Sequence, residues 1–380
     1  MDRRHDSSGV ATMFQWLIQV KPLGFLYGSA GAFLSAENLV GKSGAKFPPD
    51  AAVMSGLILR TYQEKNLDEV ATIKQKLTVA GAFWAKDDDL KGKDKAFYVP
   101  IPRSRTIGKD ESAEWEIQDH KWHRGQQELQ ADYSWQRIDY WNKSAADIMK
   151  EGVLRDSQDP KKAKTIWKFN PFLHPQMQAD QRHVLEKDGL FLENAVQMDE
   201  DISLVYLSTH KLPDGWYRFG GEGHLVEITS HGLNKDSVIN KLLNTPIQRG
   251  FALITPGVWG TNNLSKRYPT ALKTDYKLSH LLTDRPIPFR YRLGKGESKN
   301  SSVLGVGRYA VPAGTVYVLK QNLNKTWWEF PNEWFPQSKG QPSSQQATSE
   351  NESQNTLLKQ LGCGLCLPIT IKGVEELSES

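Results

Sequence analysis

Short apolar runs, cut by glycine and proline, alternate with polar stretches from residue 14 to residue 371. Residues 14–20 (FQWLIQV) alternate closely enough to predict an opening strand, ended by Pro22 and Gly24. The Gly-, Ala- and Ser-rich stretch that follows, with Lys42 and Lys46 near its end, reads as a long loop. Pro48-Pro49-Asp50 then starts a helix that carries Val53, Met54, Leu57, Ile58 and Tyr62 on one face. Further strands are predicted at 96–101, 202–207, 225–228, 251–254 and 315–319, with a short helix at 237–243. Order resumes at 357–361, and a glycine loop at 362–368 leads into a last strand at 369–371. Residues 86–95 (KDDDLKGKDK) and 155–164 predict solvated loops, and 115–141 an irregular segment of interleaved aromatic and basic residues.

Residues 305–320 (GVGRYAVPAGTVYVLK) concentrate the features that recur elsewhere. Glycines free the backbone, Arg308 and Tyr309 sit between them, and a turn at Pro312-Ala313-Gly314 feeds a β-branched and aromatic strand. Such a backbone suits close approach of an extended anionic ligand. It equally suits a β-bulge and a tight turn between core strands. A second loop of the same kind, WYRFGGEGH at 216–224, follows a turn at Pro213-Asp214-Gly215. A third runs through Pro256-Gly257-Val258-Trp259-Gly260.

Length allows about two domains: 380 residues, divided loosely near residue 200 after a polar tail at 1–13. No apolar run approaches the roughly 20 residues of a membrane span, and MDRRHDSSGV has no apolar core for a signal peptide. A cytoplasmic protein without membrane contact is expected. Two cysteines, Cys363 and Cys366, cannot build a disulfide framework. Forty-eight Lys and Arg against 44 Asp and Glu give +4 and a pI near 8.7, which permits nucleic-acid binding without requiring it. Twelve Trp and 12 Tyr, many beside Lys or Arg, suit stacking on unpaired bases and suit core packing equally. Residues 337–355 (QSKGQPSSQQATSENESQN) carry almost no apolar side chains and predict a disordered insertion.

Motifs for catalysis fail on context. AENLVGKS at 36–43 fits a relaxed phosphate-loop pattern, but Gly44 and Pro48-Pro49 leave no helix to receive the phosphates. GVGRYA at 305–310 mimics a dinucleotide fingerprint, and Pro312 with the following strand excludes its helix. Cys363-Gly-Leu-Cys366 is half a zinc site with no second pair, so no metal is expected. Nine scattered histidines form no nucleophile elbow or triad. His224, beside a glycine loop, remains the one candidate for taking a 2′-hydroxyl proton in RNA cleavage.

Taken in order, FPPDAAVMSGLILRTY, FYVPIPR, GWYRFGGEGH, RYAVPAGTVYVLK and LGCGLCLPI resemble the third subunit of type III-B CRISPR (Cmr) effectors, a family of RAMP proteins. The similarity runs from about residue 14 to 372. It implies an α+β chain with two ferredoxin-like (RRM-like) domains, 14–200 and 201–380, and glycine-rich loops that grip guide RNA. It implies a non-catalytic subunit without cofactor that holds the repeat-derived 5′ handle and joins the large polymerase-like subunit to the backbone RAMP subunits, meeting target RNA only indirectly. Phe25-Leu26-Tyr27-Gly28 stands where the family usually has a charged Arg-Asp-Gly run, so RNA contacts are not carried to those positions. RNA contacts are expected at Arg60, Arg103, Arg105, Arg182, Arg218, Gly220, Gly221, His224, Arg249, Trp259, Arg308, Lys320, Gly362 and Gly364. Two alternatives stand beside this reading: a metal-independent endoribonuclease that processes precursor guide RNA through His224, and a purely architectural bridge.

Overall fold

A computed structural model describes residues 13–27, 47–65, 70–155, 165–175, 183–184, 190–220, 223–293, 303–337 and 356–375. The polar tail to residue 12, the phosphate-loop look-alike at 36–43 and the low-complexity insertion from residue 338 lie outside them. So does most of the loop expected at 155–164.

Eight strands form one antiparallel sheet: β1 (Trp16–Pro22), β2 (Val79–Lys86), β3 (Tyr98–Pro100), β4 (Trp135–Arg137), β5 (Val153–Leu154), β6 (Ile202–Ser208), β7 (Gly215–Phe219) and β8 (His224–Gly232). Their spatial order is β5-β4-β3-β2-β6-β1-β8-β7. All seven residues of β6 (ISLVYLS) are buried, which places it between β2 and β1 with Tyr206 opposite Ile18 and Leu204 opposite Trp84. Strands from both sides of residue 200 therefore share this sheet, which runs on to Gly232, past the division expected near 200.

Helix α1 (Ala51–Glu64) covers one face of the sheet. Asp50 caps it, its side chain accepting from the Ala52 amide at 3.1 Å. Ala51, Met54, Ile58 and Thr61 form its buried stripe, and burying Met54 and Ile58 stabilises the packing by roughly 1.5–3 kcal/mol each. The Tyr206 hydroxyl donates to the Pro49 carbonyl at 2.6 Å and fixes the helix entry.

A second antiparallel sheet is built from β9 (Gly250–Leu253), β10 (Leu278–Leu282), β13 (Val316–Leu319) and β14 (Cys366–Pro368), ordered β10-β13-β9-β14. Between β10 and β13 in sequence lies a hairpin of β11 (Ile287–Phe289) and β12 (Arg308–Ala310). The two sheets share one apolar core, which includes Phe83 and Tyr98 from the first and Phe251 and Tyr317 from the second. The Trp141 indole ties them further, donating to the Pro368 carbonyl at 2.7 Å.

Three expectations are corrected here. The last strand is Cys366–Pro368, not 369–371, because Cys366 and Leu367 are the buried residues that pair with β9, whereas Thr370 is exposed. Asp87, expected in a solvated loop, accepts from Ser203 Oγ at 2.6 Å and from Gln19 Nε2 at 3.1 Å, and it also pairs with Lys21. The segment 115–141 is not irregular throughout: it contains the hairpin Glu116–Gln118 with Lys121–His123, and β4.

Candidate functional site

Where the ends of β2, β3 and β4 face the second sheet, the two leave a cleft of about 980 Å³. Ala313, in the turn Pro312-Ala313-Gly314, forms part of its wall. Gly314 has φ +83°, and a Cβ there would stand 2.8 Å from the Ile101 carbonyl oxygen, so only glycine lets the turn approach β3. Its carbonyl accepts from the Arg103 amide at 2.8 Å, and its amide donates to Leu253 at 2.7 Å. Residues 305–320 thus serve as a tight turn between core strands, and the same turn walls a cleft.

Arg103, Arg105 and Arg290 line this space, and among the described residues Asp50 is the single lining carboxylate. Arg103 pairs with Asp284 at 3.1 Å, and Arg290 Nε donates to the Gly305 carbonyl at 2.8 Å. Arg105 is different. Its one side-chain hydrogen bond among the described residues is from Nη1 to Gln136 Oε1 at 3.2 Å. Its cross-strand neighbour Glu114 is turned away to accept from the Ala145 amide at 2.7 Å. Among the described residues no carboxylate is within ion-pair distance of Arg105. Burial pushes its guanidinium below the ordinary arginine value, opposed only by the charge of Glu114. A guanidinium does not give up its proton in a protein, so this partly desolvated charge favours an incoming anion.

Aromatic rings stand beside these cations. Trp115, Tyr133 and Trp135 line the cleft. The Arg124 guanidinium lies 4.9 Å from the Trp115 ring centroid, and Arg155 is equally close to Tyr133. Arg124 is buried and held by Thr106 Oγ1 at 2.6 Å, which keeps the Trp115 ring in place. Cations, rings and a roomy groove together can hold phosphates and unstacked bases.

Of the residues expected to touch RNA, the fold brings Arg103, Arg105 and Gly362 to this cleft. Arg182 and Gly221 lie outside the described residues. Arg60 is exposed on α1, paired with Glu64 at 2.6 Å. Arg218, Gly220 and His224 belong to the β7–β8 hairpin at the far edge of the large sheet. Arg308 donates to the Thr261 carbonyl at 3.1 Å and to Asn262 Oδ1 at 2.8 Å, which braces a neighbouring turn. The half-buried Lys320 closes β13 through its amide, which donates to Lys277 at 3.0 Å.

At four of the expected contacts the residue has a role inside the fold. Trp259 is 1% exposed, its indole donating to the Tyr317 hydroxyl at 3.1 Å, so its ring belongs to the core and offers no face to a base. Gly364 lies against that ring: a Cβ at φ +66° would stand 2.3 Å from Trp259 Cη2, and its amide is used by the Pro256 carbonyl at 2.8 Å. Gly362 touches the cleft, yet its amide donates to Lys359, and its missing Cβ makes room for Ala80. Arg249 spans the carbonyls of Leu319 and Val374 and fastens the C-terminal turn. Sequence reasoning did not select Arg290, Trp115 or Tyr133 as contacts. Their signal was only the general interleaving of cations and rings, which does not say which side chains converge.

A chain in the cryo-EM structure of the Type III-B Cmr-beta bound to cognate target RNA aligns with 13% identity and a TM-score of 0.43, over 80% of this chain and 86% of that one. A chain in the crystal structure of the Csm3-Csm4 subcomplex of the type III-A CRISPR-Cas interference complex aligns with 10% identity and a TM-score of 0.35, over 80% and 92%. No curated protein matches the chain. The family model described as CRISPR-associated protein (Cas_Cmr3) matches residues 38–371. The chain therefore belongs to the Cas_Cmr3 family of CRISPR-associated proteins.

Proposed function

We propose that this chain is a non-catalytic RNA-binding subunit of a type III-B CRISPR effector. In this reading the cleft between the two sheets holds the repeat-derived 5′ handle of the guide RNA. The rest of the surface joins the large polymerase-like subunit to the backbone subunits, and two ferredoxin-like units underlie the fold. Family membership supplies the effector context. The observation that carries the RNA reading is Arg105, a partly buried cation in the groove with no carboxylate at ion-pair distance among the described residues. A phosphate there would supply the missing counter-charge while Arg103 and Arg290 flank the strand. Cleavage through His224 draws no support from the cleft, whose described lining residues include no histidine.

The test is titration of the purified full chain with single-stranded RNA carrying the repeat sequence, over a range of salt. Wild type is expected to bind with a log–log salt slope near −2, from about three phosphate contacts at roughly −0.7 each. Arg105→Ala should weaken binding and shallow the slope by about one contact. Equal affinity and slope in wild type and variant would remove the cleft as the RNA site.

A further inference from the structure

Beside the cleft stands an exposed tyrosine that the RNA reading above does not use. Pro288, in the cleft wall, is the direct cross-strand partner of Tyr309 in the β11–β12 hairpin. Partners in an antiparallel pair lie about 5 Å apart and send their side chains to the same face. Tyr309 is 59% exposed. Its backbone is nonetheless pinned, because its amide donates to Ser265 Oγ at 3.1 Å. Arg308, next to it, is braced against the turn at Thr261 and Asn262 and makes no ion pair among the described residues. Leu264, in that same turn, is 59% exposed. Lys266 and Arg267 follow Ser265 directly in sequence and the exposed Arg285 lies two residues before β11, so cations flank the hairpin, while Asp284, also exposed, is engaged by Arg103.

A solvent-facing ring on a pinned backbone, flanked by cations, is the arrangement that stacks an unpaired base while cations follow the phosphates. We infer that the single-stranded RNA track continues out of the cleft over Pro288 to Tyr309, and that one unpaired base stacks on the Tyr309 ring. This rests on the cleft being an RNA site. It adds a base-contacting residue outside the cleft and fixes the direction in which the strand leaves. A protein partner is the less favoured occupant, since the described segments around the hairpin, 257–267, 284–290 and 308–310, hold five Lys and Arg against one acid, Asp284, which Arg103 engages.

The experiment uses the full chain and two labelled oligoadenylates, about four and about ten nucleotides long, with a ten-unit oligomer whose bases are removed as a third probe. Tyr309→Ala should weaken the longer probe by about 5- to 100-fold, leave the shorter one unchanged and keep the salt slope of wild type. Tyr309→Phe should bind like wild type, and the abasic oligomer should not distinguish Tyr309→Ala from wild type. Near-ultraviolet circular dichroism of Tyr309→Phe and Tyr309→Ala checks that the hairpin is intact. If Arg105→Ala weakens both base-bearing probes but Tyr309→Ala weakens neither, the cleft stands and the extension falls. If wild type binds no probe, both fall. Loss of companion proteins from a Tyr309→Ala pull-down, with RNA affinity unchanged, overturns the base-stacking role in favour of a protein contact.

Discussion

Lys359 is 3% exposed, and its Nζ donates at 2.8 Å to the carbonyls of both Trp328 and Phe330. Burial pushes its pKa down to about 8, against a small upward pull from Glu329. The folded state therefore holds this proton less tightly than the unfolded chain, whose lysine titrates near 10.5. Between about pH 8 and 10.5 the unfolded state carries more protons, so this residue makes stability rise with pH across that window. Below pH 8 both states are charged and the burial penalty is felt in full, on the order of 3 kcal/mol. Denaturation midpoints from pH 7.5 to 10 should thus climb in wild type relative to Lys359→Met, in which the trend disappears. Gly362 shows the steric side of the same packing. An added Cβ would stand 2.5 Å from Ala80 Cβ and 2.7 Å from the Val79 carbonyl oxygen, at φ +64°. Gly362→Ala should lower the urea midpoint by the equivalent of about 2 kcal/mol or more, with an unchanged m-value.

At the scale of elements, α1 has its cap and a wall of the cleft in one residue. Asp50 accepts from the Ala52 amide and is also the lining carboxylate opposite three arginines. Its removal has two opposed consequences. Asp50→Ala should cost about 1 kcal/mol of stability through the lost cap, yet bind RNA more tightly, because a negative charge has left the groove. A variant that loses stability and RNA affinity together would contradict the cleft assignment. This helix was legible in the sequence because Pro48-Pro49-Asp50 and the apolar stripe are local signals. The last strand was not. Cys366 and Leu367 become a strand by pairing with β9, more than a hundred residues earlier, and nothing within 362–371 states that partner.

For the whole molecule, the groove exists because two sheets share a core while the Gly314 turn holds their ends at a set spacing. The cationic lining comes from residues 103, 105 and 290, with rings from 115 and 133. The local sequence around each is ordinary, so their convergence could not be read from it. The same distance in sequence explains why Trp259, beside glycines and basic residues, read as a stacking platform and proved to be core. A salt slope that falls by one contact in Arg105→Ala and not in Arg60→Ala, whose guanidinium pairs with Glu64 on the outer helix surface, is the expectation for the molecule as a whole.

By itself the sequence determined the opening strand, the capped helix, the buried strand β6 and the glycine turn at 312–314. Each rests on periodicity, φ restriction or capping within a few residues of chain. Order and content of the motifs also pointed to the family that the chain proved to belong to. Only the tertiary structure decided which strands share a sheet, which aromatic rings are covered, and which arginine is partly buried without a carboxylate partner among the described residues. Those depend on contacts between segments far apart in the chain, where burial rather than residue type sets what a side chain can do.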